Sequence, residues 1–82
     1  LVQIKVLRSL GIALEVIGDL EESQAILSKS LALSQKINDN FEIGENLLSL
    51  GNTLLALENF VIAEEYYEQA AINTNSQLTQ LE

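Results

Sequence analysis

Leu47-Leu48-Ser49-Leu50-Gly51-Asn52-Thr53-Leu54 restates, forty residues on, the outline of Leu7-Arg8-Ser9-Leu10-Gly11-Ile12-Ala13-Leu14. Both stretches carry leucine at the same three places around one glycine, and Ser9 and Ser49 agree as well. Steps of three and four set those leucines along one face of a helix. A glycine inside a helix costs roughly 1 kcal/mol relative to alanine. Two at equivalent places imply that a second backbone comes close to each. The segments that follow supply suitable neighbours. Ser23, Ser30, Ala63 and Ala70 are small, and Leu27 and Tyr67 are large enough to fill the space beside them. The spacing predicts tight antiparallel helix pairs, with ridges of one helix set into grooves of the other.

Working outward, Ile4, Leu7, Leu10, Gly11, Leu14 and Ile17 predict a first helix over Val2 to Ile17. Gly18-Asp19 interrupts it. Asp19 with Glu22 three residues on reads as a capping box that opens a second helix, about Leu20 to Ile37. Asn38-Asp39-Asn40 is a polar turn. A third helix is expected over about Phe41 to Leu57, with Leu47, Leu50, Gly51, Leu54 and Leu57 inward. Glu58-Asn59 forms the next turn. A fourth helix is expected over about Phe60 to Ile72, with Phe60, Ala63, Tyr67 and Ala70 inward. Asn73 to Ser76 reads as another break, and Gln77 to Glu82 as the start of a fifth helix. No alternating strand pattern competes, and two-residue turns make neighbouring helices antiparallel.

This pattern resembles the tetratricopeptide repeat, whose outline is W-x2-L-G-x2-Y, then A-x3-F, then P. The first repeat, about 2–37, gives Leu7, Leu10, Gly11 and Leu14, then Ser23 and Leu27. The second, about 41–73, gives Leu47, Leu50, Gly51 and Leu54, then Ala63 and Tyr67, and is the closer match. Leucine replaces the tryptophan and tyrosine, and Gln35 and Asn75 stand where the proline would fall. The resemblance implies an all-α fold, a right-handed α-α superhelix of helix-turn-helix units, with a third unit starting near 76. A period of forty rather than ~34 resembles the long variety of kinesin light chains and bacterial multi-repeat regulators, as does Tyr66-Tyr67-Glu68-Gln69-Ala70. One parent the resemblance suggests carries such repeats ahead of a caspase-like CHAT protease domain.

Composition bounds the function. The 82 residues contain no histidine, cysteine, methionine or proline, and 48% are hydrophobic. A nucleophile with a histidine or cysteine base cannot be assembled, so no catalytic residues are expected. The acid pairs Glu21-Glu22 and Glu64-Glu65 do not face each other on a helix. They suit the positive end of a helix dipole. Asn38 to Glu45 fails as a calcium loop, because Phe41 and Ile43 would occupy ligand positions. No metal and no cofactor are expected. A net charge of −8 repels nucleic-acid phosphates and anionic membranes. Uncharged runs such as Asn46 to Leu57 fall short of the ~20 apolar residues a bilayer span needs. The expected setting is cytoplasmic.

The remaining function is recognition. In a helical repeat array the first helix of each unit lines the concave surface. Candidates there are Lys5, Arg8, Ser9, Ile12, Glu15 and Val16, then Glu45, Leu48, Ser49, Asn52, Leu55 and Ala56. Ile12, Val16, Leu48 and Leu55 are apolar where a solvated face should be polar. They are expected either to anchor an extended or helical segment of a protein partner, with Arg8 and Asn52 as polar handles, or to be covered by neighbouring repeats or by the superhelix itself in a longer array. Some tetratricopeptide domains clamp a terminal carboxylate with groove cations and asparagines, and here Ile12 and Leu48 replace polar positions of that clamp, so the resemblance does not imply that ligand. The acidic surface suits a basic or neutral partner. The alternatives are a structural spacer and an array regulating an attached catalytic domain. Lacking an initiating methionine, the chain is expected to be an excerpt of a longer one. Alone it is expected to be of low stability or to self-associate through uncapped ends.

Overall fold

The computed structural model describes the backbone of residues 1–81 and the side chains of residues 1–74. Four helices account for nearly all of it: α1 (Val2–Val16), α2 (Leu20–Lys36), α3 (Asn40–Ala56) and α4 (Phe60–Leu81). No strand occurs among the described residues. Each helix lies against the next, and α1 also touches α3.

The three turns are copies of one another. Gly18, Asn38 and Glu58 all take positive φ, at 90°, 56° and 62°. In each, the amide of that residue and of the next reach back over the helix end. Gly18 N donates to Glu15 O and Asp19 N to Leu14 O. Asn38 N and Asp39 N do the same to Gln35 O and Ser34 O, and Glu58 N and Asn59 N to Leu55 O and Leu54 O. This is the Schellman arrangement, in which a left-handed residue satisfies the last carbonyls of a helix. Glycine adopts that conformation freely and asparagine tolerates it, but a glutamate pays a steric cost of roughly 1–2 kcal/mol. Glu58→Gly should therefore raise the unfolding free energy by about 0.5–1 kcal/mol, after allowing for the extra freedom glycine gives the unfolded chain. Urea denaturation followed by circular dichroism measures it.

The helix starts differ. Asp39 caps α3, its carboxylate accepting from Glu42 N at 3.2 Å. Asp19 makes no side-chain cap bond, so the capping box with Glu22 does not form. Its ψ is 71°, against 97° at Asp39, short of the extended geometry from which a cap side chain reaches the first turn. Asp19 opens α2 through its backbone, its carbonyl accepting from Ser23 N.

The nests at the two glycines are present. A Cβ placed on Gly11 would lie 2.5 Å from Leu27 Cγ, and one on Gly51 would lie 2.6 Å from Tyr67 Cε1. Nothing larger than hydrogen fits at either place while those side chains stay where they are. Leu27, Leu50, Leu54 and Leu47 form the apolar core with Ile4, Ala63 and Ala70. Leu7 and Leu14 are half-buried.

Three expectations are corrected. Leu10 is 47% exposed, whereas its counterpart Leu50 is fully buried. Leu50 lies one turn from Asn46 on the side of α3 that meets α2, and α1 has no helix on that side. Ile17 and Phe60 are exposed rather than inward. The break at Asn73 to Ser76 does not occur, and α4 runs on through it to Leu81 as one helix, so no separate fifth helix begins at Gln77. The segment holds no glycine or proline, and asparagine, threonine and serine disfavour a helix by only a few tenths of a kcal/mol each, at most ~0.7. Asn73 is a docking residue: its amide donates to Asn40 O and lies 3.1 Å from where a Cβ on Gly44 would be. The Thr74 hydroxyl donates to Ala70 O within the helix. Glu82 lies outside the described residues.

Candidate partner-binding face

The forty-residue offset pairs positions on the two first helices. Lys5 corresponds to Glu45, Arg8 to Leu48, Ile12 to Asn52, Glu15 to Leu55 and Val16 to Ala56. Ile12, Val16, Leu48 and Leu55 are all exposed. Leu48, Asn52 and Leu55 follow steps of four and three, so they form one stripe on α3. Asn52 is exposed and held in place, because the Tyr67 hydroxyl donates to its Oδ1 at 2.5 Å. The ring that fills the Gly51 nest thus also positions a polar group on this face. Lys5, Ser9 and Ala56 are exposed, and Glu15 and Glu45 are half-buried.

Two candidates are used elsewhere. Arg8 is not a free handle. Its Nη1 donates to Glu42 Oε1 at 2.7 Å, and the two side chains are only 14% and 2% exposed. The guanidinium joins α1 to the first turn of α3. Ser49 is buried, and its carbonyl accepts from the Thr53 hydroxyl. Asn52 is therefore the polar group that the apolar stripe of α3 retains.

What fixes α1 relative to α3 is a polar seam. Ser23, Ser30 and Ser34 of α2 and Asn46 and Thr53 of α3 are all fully buried. Ser23 Oγ donates to Gly11 O at 2.7 Å and lies 3.0 Å from Thr53 Oγ1. Because the Ser23 proton goes to the carbonyl, Thr53 is the donor of that pair whenever it turns from Ser49 O. Ser30 Oγ shares its one proton between Ile4 O at 3.0 Å and Asn46 Oδ1 at 2.9 Å. Asn46 Nδ2 in turn donates to Ser34 Oγ at 3.3 Å, and Ser34 donates to Leu31 O. Ser23 and Ser30 each tie three helices together. The close approach at Gly11 is what brings its carbonyl within reach of Ser23. A fully satisfied buried network of this kind fixes register, since a slip would strand its members without partners.

The sequence reading identified Ser23 and Ser30 as small inward residues but missed Ser34, Glu42, Asn46 and Thr53. A signal was available. The polar residues of α2 recur at intervals of seven and four, and those of α3 at four and seven, which puts each set on one helical stripe. Among the described residues no group of histidine, cysteine or acidic side chains could hold a metal ion, and no pocket opens. No described helix is long and apolar enough to cross a membrane. The arrangement offers a surface, not an enclosed site.

The family described as Tetratricopeptide repeat matches residues 3–71, most of the chain. No curated protein and no solved structure gives a match. That matched span begins in α1 and ends in α4, so it takes in both glycine nests and all three turns. The chain belongs to the tetratricopeptide repeat family.

Proposed function

We propose that this chain is a protein-interaction module whose α1 and α3 receive an extended or helical segment of a partner. The observation that carries the reading is the exposure of Ile12 and Val16 on α1 and of Leu48 and Leu55 on α3, the first helices of the two units. Apolar side chains standing free on a face that also offers a fixed amide, Asn52, are what peptide recognition uses: apolar anchors for affinity and a polar group for orientation. The net charge of −8 favours a basic or neutral segment over an acidic one. Arg8 contributes by holding α1 against α3, not by touching the partner.

Peptides selected from a random display library on the intact chain supply the probe. Leu48→Ala with Leu55→Ala should weaken the selected peptides about tenfold or more, since central apolar anchors are worth at least ~1 kcal/mol each. The far-ultraviolet circular dichroism of the variant should be unchanged. Titration by fluorescence anisotropy reads the effect. Selected peptides that bind the double variant as well as the parent would remove this face from consideration.

A further inference from the structure

Tyr67 and Asn52 differ together from their counterparts one unit earlier. The forty-residue offset pairs Tyr67 with Leu27 and Asn52 with Ile12. Where an aliphatic side chain fills the glycine nest, the exposed residue beside that glycine is apolar. Where a phenol fills it, the exposed residue is an amide. Leu27 shows that a leucine can fill such a nest, so packing alone does not require the Tyr67 hydroxyl.

The contact shows what the hydroxyl does. It donates to Asn52 Oδ1 at 2.5 Å. That length is usual between two oxygens and falls below the roughly 2.7–3.2 Å found between nitrogen and oxygen. The amide is therefore held with its oxygen, not its nitrogen, toward the ring. The ring is seated in turn, since a Cβ on Gly51 would meet its Cε1 at 2.6 Å and its Cδ1 at 2.8 Å. The oxygen and nitrogen of an amide diverge from one carbon, so fastening Oδ1 to Tyr67 turns Nδ2 away from it. Asn52 is exposed, which leaves the two protons of Nδ2 open to a partner. An unheld asparagine turns its amide over readily and meets a donor or an acceptor alike. Held this way, Asn52 selects an acceptor. The net charge of −8 disfavours a carboxylate in that role.

We propose that Tyr67 is a positioning residue that sets the specificity of the partner face. Acting through Asn52, it makes that point of α3 a hydrogen-bond donor. The bound segment then presents an uncharged carbonyl or hydroxyl oxygen to Asn52 and an apolar residue to Ile12 on α1. The two units read different chemistry at equivalent places. A segment displaced by one unit would set its apolar residue on Asn52 and leave the amide desolvated without a partner, so the face selects one register. The proposal rests on the partner-binding reading of α1 and α3.

Peptides selected on the intact chain again supply the probe. Tyr67→Phe keeps the ring in its nest and should weaken them about three- to tenfold, because the amide must then be ordered on binding. Asn52→Ala should weaken them at least as much. Adding Tyr67→Phe to Asn52→Ala should change affinity by no more than about twofold, since the hydroxyl acts only through the amide. A hydroxyl that touched the peptide itself, or that merely stiffened the helix pair, would weaken binding equally in both backgrounds, and that result overturns the proposal. The free chain gives a readout that needs no peptide. In the proton–nitrogen correlation spectrum, the Asn52 side-chain amide pair should move in Tyr67→Phe to the position of an unrestrained asparagine. A pair already at that position in the parent overturns the proposal and leaves the partner face standing. Peptides indifferent to Leu48→Ala with Leu55→Ala would remove the partner face, and this proposal with it.

Discussion

Leu27→Ala should lower the unfolding free energy by about 3 kcal/mol, within the range of 2–5 kcal/mol typical for deleting a buried leucine. Leu27 is fully buried and sits over the bare backbone of Gly11. Its removal leaves a cavity at the centre of the α1–α2 pair. Gly11 cannot fill that cavity, and Ser23 tethers the two helices beside it through Gly11 O. Collapse is therefore limited, and the cavity term stays large. A chain of 82 residues has little reserve, since small domains bury only ~60% of their unfolded surface. The variant should be partly unfolded in water at room temperature. Urea denaturation with circular dichroism at 222 nm gives the number. Leu48→Ala, on the exposed stripe of α3, should change stability by no more than about 0.5 kcal/mol in the same measurement.

Arg8→Ala should be comparably severe, at about 2–3 kcal/mol. The Glu42 carboxylate is almost wholly buried, and Arg8 is its ion-pair partner. Truncating one member of a buried pair costs ~3–5 kcal/mol because the other is left desolvated and alone. The lower figure applies because the Arg8 side chain retains some contact with water. The attraction itself is not the main term. Replacing both members, Arg8→Met with Glu42→Leu, should therefore cost less than Arg8→Ala by itself. Lys5→Ala, three residues away and exposed, should be silent within about 0.5 kcal/mol. Thermal denaturation of the three variants distinguishes a structural Arg8 from a surface handle.

Much of the architecture was legible because it rests on local rules. The leucine spacing around Gly11 and Gly51 follows from helix geometry, and the facing Leu27 and Tyr67 follow from the need to fill space beside a missing side chain. The turns were also readable, but not their identity with one another. Asn38 and Glu58 take the same left-handed conformation as Gly18, and only Gly18 announces it by residue type.

The misses share one physical cause: a partner on another helix decided the outcome. Arg8 reads as a groove cation until Glu42 comes to it from α3. Leu10 and Leu50 share the flanking Ser-Leu-Gly and the leucines three before and four after, yet one is exposed and the other buried, because only α3 has α2 lying along that side. Asn73 has turn chemistry, but Asn40 O and the bare Gly44 backbone give its side chain a place within a continuous helix. The exposed Ile12, Val16, Leu48 and Leu55, which we propose as anchors, were readable as apolar residues off the packing stripe. The fixing of Asn52 by Tyr67 was not, since it requires knowing that the ring packs against Gly51 with its hydroxyl beside Asn52.

The fold rests on the nesting of a large side chain against a bare backbone in each helix pair. A double-mutant cycle between Gly11→Ala and Leu27→Ala tests it most directly. Alone, Gly11→Ala should cost about 1–2 kcal/mol despite the better helix propensity of alanine, since its methyl collides with a leucine that has nowhere to move. Combined with Leu27→Ala, the same methyl enters the vacated space. The double variant should then be more stable than the sum of the single losses allows, by about 1–2 kcal/mol. Losses that add to within about 0.5 kcal/mol, or a Gly11→Ala that stabilises the chain, would contradict the nest at the heart of the fold.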